Sequence, residues 1–472
     1  MLGLISNQIY RIYMVFASST FFIFFAVVLS LYWLLPRFVS RSPILLIASW
    51  YFYAFGCWSY ILLLLFFTAF DFFMAQKISQ MLHEEKPTKA KILAVVSISL
   101  NVLILSGFKL SWMVNIFSDQ IFMPVGISFY TFQSIAYIVD IFRKKIPAQR
   151  NFVNYALYIS FFPQLLAGPI ERAGSILPIL AKPWDERKPS ILEIKEALWL
   201  IFWGLLKKVA IADRVRPFAA WAITGLGAKG AGDIWFASIV FILQFLADFS
   251  AYTDLARGQA LLFGIRLSEN FRYPYFSTSP KEFWQRWHIT LGAWFRDYVY
   301  GPLVRHGVSR WAALLITMVL VGLWHGAKPK FVVWGAFWGF LIVLDNFLSP
   351  FLPIFHSEFL RKWQKILGWS AVMSAWILSG FFFVARDVQD ASTLLVRAFT
   401  FFVSSRTKGD LVIAFTYLIP FIFVETMQWL NKDRFFWFRW KKPKQSIFLL
   451  VLVLFYLGNY ANQGTDFIYF AF

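Results

Sequence analysis

The sequence predicts an all-α polytopic integral membrane protein, and three observations carry that prediction. Hydrophobic residues make up 59% of the 472 and charged residues only 15%, a balance too apolar to sustain a water-soluble surface. Apolar stretches recur at the length of roughly 20 residues that a helix needs to cross a hydrocarbon core. Lysine and arginine gather in the short connections between those stretches.

Met14 to Pro36 is the first stretch, uncharged throughout. It is longer than the apolar core of a cleavable signal, so it reads as a retained helix. Further spans follow at 43–75, long enough for two helices, then at 92–117, 122–142, 152–170, 197–212 and 233–264. After an aromatic-rich amphipathic segment at 282–303 come 311–327, 331–348, 367–385, 411–430 and 446–462, which brings the count to about twelve. The polar connections are too short to bury cores of their own. Residues 14–462 are therefore expected to form a single transmembrane domain, with 463–472 a separate tail.

The net charge of +20 suggests acidic polymers until its distribution is considered. Arg143, Lys144, Lys145 and Arg150 mark one cytoplasmic loop, and Lys77, Lys86, Lys89 and Lys91 another. The densest group is Lys432, Arg434, Arg439, Lys441, Lys442 and Lys444, opposed by Asp433 alone. Retention of positive loops inside explains these clusters without nucleic acid, and it makes the run from Ser446 to Asn462 carry the C-terminus outward. Cys57 is the single cysteine, which excludes an internal disulfide and any cysteine-based metal cluster, and it reads as a small core residue. No phosphate-cradling glycine loop, low-complexity segment or internal repeat is visible.

Of five histidines, His83, His306 and His356 stand in charged or loop-like surroundings and read as solvated. His288 and His325 each follow a tryptophan in an apolar neighbourhood, WQRWHIT and GLWHGA. Burial there favours the neutral imidazole, the form that accepts a proton. Neither has the i, i+4 partner or the carboxylates of a zinc site, so base chemistry fits better than metal binding. The competing reading is a histidine that merely hydrogen-bonds a neighbouring helix. From Glu282 to Leu303, Phe283, Trp287, Leu291, Trp294 and Tyr298 follow helical spacing as one aromatic stripe, with Arg286, Arg296 and Asp297 off it. Such a helix lies at the bilayer interface or lines a polar cavity.

The words ENFRYPYFSTSPKEFWQRWHITLGAWFRDYVYGPL and VGLWHGA resemble the membrane-bound O-acyltransferase family, in its bacterial branch. That branch acts in alginate and peptidoglycan O-acetylation and in teichoic acid D-alanylation. MVFASSTFFIFF, PVGISFYTFQSIAYIVDIFR, FFPQLLAGPIER and DFSAYTDLARGQALLFGI support it in order along the chain. The thirteen residues before Met14 precede the usual family start, which makes Met14 a candidate initiator.

The resemblance implies helices arranged around a tunnel and an acyl transfer within the membrane. Its active-site histidine falls on His325 and its second histidine on His288. A hydroxyl is a poor nucleophile until its proton is taken, which is the task for a neutral His325. His288 is left three roles: orienting the donor carbonyl, steadying the oxyanion, or shuttling the proton. Trp287 and Trp324 are expected as walls, and Arg296 and Asp297 as shapers of the cavity. Asp248, Tyr252 and Asp254 are intramembrane polar groups that hold helices together, Asp254 being also a candidate for substrate contact. Pro163, Gly168 and Pro169 read as helix breakers, tolerated at membrane depth where protein covers the backbone. Glu171 and Arg172 read as a solvated loop, the alternative being that they help admit a polar donor.

The C-terminal word DFIYFAF reads on its own as an interfacial plug. Members of the branch resemble one another in a terminal Phe-x-Tyr-x-x-Phe motif, here Phe467, Tyr469 and Phe472, whose tyrosine is implicated as an acyl acceptor. The resemblance thus implies an acyl thioester donor, acetyl-CoA rather than a D-alanyl donor, with no resident cofactor. Tyr469 would carry the group to the outer face of a bacterial inner membrane. There an esterase-like extracytoplasmic transferase would move it to a cell-envelope polysaccharide. A proton-coupled transporter and a non-catalytic envelope scaffold are the alternatives. A carrier predicts paired repeats and a midplane carboxylate, and a scaffold gives no reason for the two tryptophan-histidine words.

Overall fold

In the computed structural model the described residues are 14–36, 38–55, 58–114, 124–221, 230–351, 353, 357–400 and 407–459. Helix is the regular structure throughout, with no β-strand among them, and the all-α polytopic architecture expected from the apolar runs is the one adopted. Six helices are long and apolar enough to cross a membrane: Trp58–His83, Pro87–Leu110, Ala231–Leu262, Pro329–Phe351, Glu358–Val384 and Gly409–Asn431. Four shorter apolar helices join them: Ser19–Leu34, Ser42–Ala54, Ile127–Phe142 and Arg310–His325. Among the described residues these helices number ten, against the expected count of about twelve.

Three stretches depart from unbroken spans. The run 152–170 is a nine-residue helix, Phe152–Ser160, that stops at Phe161 and resumes only for Phe162–Leu165. Pro163 sits in the first turn of that short segment and Gly168 just beyond its end. A Cβ at Gly168 would overlap the Gln164 backbone, so the chain is folded tightly on itself, under protein cover. The run 197–212 passes from the α-helix Ile191–Leu205 into π-helical turns over Leu206–Ala212. Those turns bury Lys207 and Lys208. Lys208 Nζ lies 2.9 Å from Asp213 Oδ1 and 3.0 Å from Asp248 Oδ1, and Lys207 Nζ donates to Ser250 Oγ at 2.8 Å. The third departure, at 282–303, forms the site described below.

The chain divides into two compact units, one drawn from 1–204 and 252–268, the other from 205–251 and 269–472. Helix Ala231–Leu262 gives its residues up to Ala251 to the second unit and the rest to the first. In the first unit Phe21, Phe24, Phe52 and Phe162 form an aromatic core, with ring centroids 5.3–6.4 Å apart. Buried Asp71 accepts from Ser97 Oγ at 2.6 Å and from Asn101 Nδ2, tying helices Trp58–His83 and Pro87–Val114 together where no water is available. Tyr32 and Trp33 donate to the carbonyls of Phe263 and Leu262 and so satisfy the end of helix Ala231–Leu262. Glu171, expected in a solvated loop, is buried. Its carboxylate accepts from the Ser268 N–H and hydroxyl, so it is a strut between 171 and 268.

In the second unit the helices Arg310–His325 and Pro329–Leu348 form a hairpin. A Cβ at Gly322 would overlap the Phe331 carbonyl, and one at Gly335 the Met318 carbonyl. The two backbones therefore touch where side chains are absent, the packing that membranes favour because lipid gives helices no hydrophobic reason to associate. Lys330 Nζ donates to the carbonyls of Phe383 at 3.0 Å and Ala385 at 2.7 Å, which caps helix Glu358–Val384 against this hairpin.

Candidate active site

The stripe from Phe283 to Tyr298 is not one helix. The chain is helical over Pro280–Arg286, breaks at Trp287 and His288, and resumes as Ile289–Phe295 before π-helical turns over Arg296–Tyr300. His288 is the hinge, with φ 44° and ψ 55° in the left-handed region. A non-glycine residue there costs ~1–3 kcal/mol and persists only where its surroundings over-determine it. Here they do. Arg272 N donates to Arg286 O and Ile289 N to Asn270 O, both at 2.9 Å, on either side of an isolated antiparallel bridge between Phe271 and Trp287. Asn270 Oδ1 accepts from Thr290 Oγ1 at 2.6 Å and Thr290 N at 3.3 Å, supplying the cap that His288 does not give.

Phe283, Trp287, Leu291 and Trp294 of the stripe are buried, with Tyr298 half-buried. Trp287 is walled by Phe245, Phe271 and Trp376 at 4.6–5.3 Å.

His288 is 2% exposed, and its Nε2 makes no hydrogen bond among the described residues. It lies outside the candidate membrane-crossing helices. Burial, with no charged partner to oppose it, pushes the imidazole pKa down to about 3, so the ring is neutral near pH 7. It lines a cavity of about 430 Å³ together with Trp284, Gln285, Arg296, Tyr300 and Asn346. Most of that lining is apolar, the form of a site that fixes a ligand with a few polar groups.

His325 ends helix Arg310–His325 and is buried at 7% exposure. Its ring packs edge-on to Trp334 at 5.2 Å and Phe383 at 5.0 Å, with Trp324 at 4.7 Å. The Trp324 ring also lies 5.8 Å from His288. The two expected histidines, 37 positions apart in the chain, therefore flank one indole. His288 borders the cavity; His325 is not among the lining residues.

The remaining candidates distribute unevenly. Arg296 borders the cavity and pairs with Asp297 at 2.9 Å on the exposed side. Asp254 belongs to the other unit, where it pairs with Arg257 Nη1 at 3.5 Å. Asp248 is held by Lys208, as expected of a group that ties helices. His83 and His306 are exposed as expected. Phe467, Tyr469, Phe472, His356 and Cys57 lie outside the described residues.

Sequence reading missed three groups. Asn270 has no periodic signal, because its role depends on a bridge between loops. Lys330 follows a proline and looks like a loop cation. Lys208 was legible as a charge inside an apolar run, the sign of a paired intramembrane group.

Residues 141–385 match the model of the family described as MBOAT, membrane-bound O-acyltransferase family. The chain is 35% identical over 338 residues to a probable alginate O-acetylase AlgI of Pseudomonas fluorescens, covering 71% of this chain and 66% of that protein. It is 32% identical over 406 residues to the Azotobacter vinelandii protein of the same name, covering 82% and 78%. To a peptidoglycan O-acetyltransferase of Helicobacter pylori it is 30% identical over 432 residues, covering 82% and 80%.

Proposed function

The chain belongs to the membrane-bound O-acyltransferase family and is an acyltransferase of a membrane; on that premise we propose that it moves an acetyl group from a cytoplasmic thioester, acetyl-CoA, to Tyr469 for delivery to a cell-envelope polysaccharide. The observation that carries the reading is the pairing of two buried imidazoles on Trp324, one of them turned by a left-handed residue onto an apolar cavity.

The cavity volume lies within the ~300–1,000 Å³ typical of ligand pockets. A pantetheine arm entering it brings its thioester toward His288, whose neutral ring orients the carbonyl or steadies the charge that develops on its oxygen. His325 takes the phenolic proton of Tyr469. The phenolate oxygen attacks the thioester carbon, the carbon–sulfur bond breaks, and the thiolate leaves with the proton from the His325 imidazolium. Unperturbed tyrosine titrates near ~10, so this acceptor needs a base at neutral pH. An extracytoplasmic esterase-like transferase then takes the acetyl group from the tyrosyl ester.

The acetyl group is preferred over D-alanyl because the relatives at 30–35% identity carry acetyl-transfer names, and because the tyrosine motif is part of this chain.

Incubating the purified protein with labelled acetyl-CoA and mapping the label by peptide mass tests the relay. Label on the peptide containing Tyr469, lost in Tyr469→Phe, supports it; label retained elsewhere in that variant defeats the tyrosine step. His325→Ala is expected to insert normally and to lose at least about 10³-fold in transfer rate, the scale of a missing general base. Turnover at the wild-type rate in this variant would remove His325 from the chemistry.

A further inference from the structure

A second cavity, of about 470 Å³, shares no lining residue with the His288 cavity. Its walls come from helices Ala231–Leu262, Glu358–Val384 and Thr407–Asn431 and from the turn Pro274–Phe276. Leu243, Leu246, Met373, Phe421 and Ile422 make the lining almost wholly apolar. The groove opens sideways, where Ile366, Trp369, Ile422 and Trp429 are exposed. Its three helical walls are all candidate membrane spans, so hydrocarbon is the solvent expected at that opening.

Water is a poor filling for an apolar space of this size, whereas an alkyl chain needs no partners. The lining side chains that carry a full charge are Lys365 and Glu425. Lys365 stands seven residues after Glu358 and Glu425 six before Asn431, each ~10 Å from its helix end. Trp369 and Trp429, residue types that collect at the headgroup level, stand beside them. The mouth is firmly built: Trp429 stacks on Phe276 at 4.6 Å, and Trp369 Nε1 donates to Tyr275 O at 2.7 Å.

One positive and one negative side chain on the lining of an almost wholly apolar groove complement a headgroup that carries both charges. We propose that this groove binds a phospholipid with a zwitterionic primary-amine headgroup. One acyl chain lies between the spans, Lys365 faces the phosphate, and Glu425 accepts from the ammonium. The site stands on the second unit alone and is independent of the acyl-transfer reading.

Native mass spectrometry of the purified protein with phosphatidylethanolamine, phosphatidylglycerol and phosphatidylcholine supplied separately tests it. Phosphatidylglycerol lacks the ammonium, and phosphatidylcholine has it without N–H donors. Phosphatidylethanolamine is expected to be retained about fivefold or more over either, a difference near 1 kcal/mol. Glu425→Gln should erase most of that preference, whereas Lys365→Gln, which removes the partner of a phosphate common to all three, should lower the retention of each. Met373→Trp, which fills the groove, should remove the bound lipid whatever its headgroup. Lys365 is exposed, so its variant keeps the test valid if Glu425→Gln fails to fold. Equal retention of the three lipids, a preference for phosphatidylglycerol, or undiminished retention in Lys365→Gln would overturn the proposal.

Discussion

Replacing Asn270 by alanine separates a histidine that is held from one that is merely packed. The Asn270 carboxamide oxygen accepts two bonds from Thr290, at 2.6 Å and 3.3 Å, both buried. Losing an N-cap costs ~1 kcal/mol. A buried donor left without its acceptor adds roughly 1–3 kcal/mol. The sum, ~2–4 kcal/mol, matches or exceeds the ~1–3 kcal/mol stored in the left-handed conformation of His288. The hinge should then relax toward ordinary helical or extended angles and turn the imidazole off the cavity. In single-turnover transfer from labelled acetyl-CoA, Asn270→Ala should lower kcat about 10- to 100-fold and leave the donor KM within about twofold. Asn270→Asp keeps an acceptor in place at a helix N-terminus and should restore most of the rate. Wild-type kcat in Asn270→Ala, or equal losses in both variants, would refute the positioning role.

Three further outcomes are expected. His288 is held neutral, so the unfolded chain binds a proton below about pH 6.5 that the folded chain refuses. Its contribution to stability is complete above that pH and declines as pH falls toward 3, by about 2 kcal/mol at pH 5. Chemical unfolding of wild type against His288→Gln should show that slope only in the wild type. Gly322→Ala places a methyl group on the Phe331 carbonyl and forces the hairpin apart. A loss of ~1–3 kcal/mol is expected, with transfer reduced because His325 lies one turn beyond, and a wild-type melting temperature would contradict the close packing. Lys208→Met leaves buried Asp213 and Asp248 without their shared cation, with an expected cost of ~3–5 kcal/mol. Asp248→Asn in the same background should recover part of it, and no recovery would mean that the pair is not the cause.

The amphipathic stripe shows where reading by period succeeds and where it stops. The spacing of Phe283, Trp287, Leu291 and Trp294 picks out four side chains that share an apolar character, and all four are buried, because burial follows hydrophobicity whichever way the backbone runs. It misses the break at His288, because nothing in a 3.6-residue period announces a left-handed residue. That conformation is enforced by Asn270 and Arg272, which lie 18 and 16 positions upstream. Lys208 shows the same boundary from the other side: its presence in an apolar run demands a counterion, but only the fold selects Asp213 and Asp248.

By itself the sequence determined that the chain is helical and belongs in a membrane, since composition and the length of apolar runs settle which solvent a segment tolerates. It also singled out His288 and His325, because an imidazole beside tryptophan in an apolar stretch is costly enough to need a reason. Only the tertiary structure decided that both rings meet on Trp324, that one of them opens onto a cavity, and that Glu171 is buried rather than solvated. Those outcomes depend on contacts between distant segments, whose geometry local propensity does not encode.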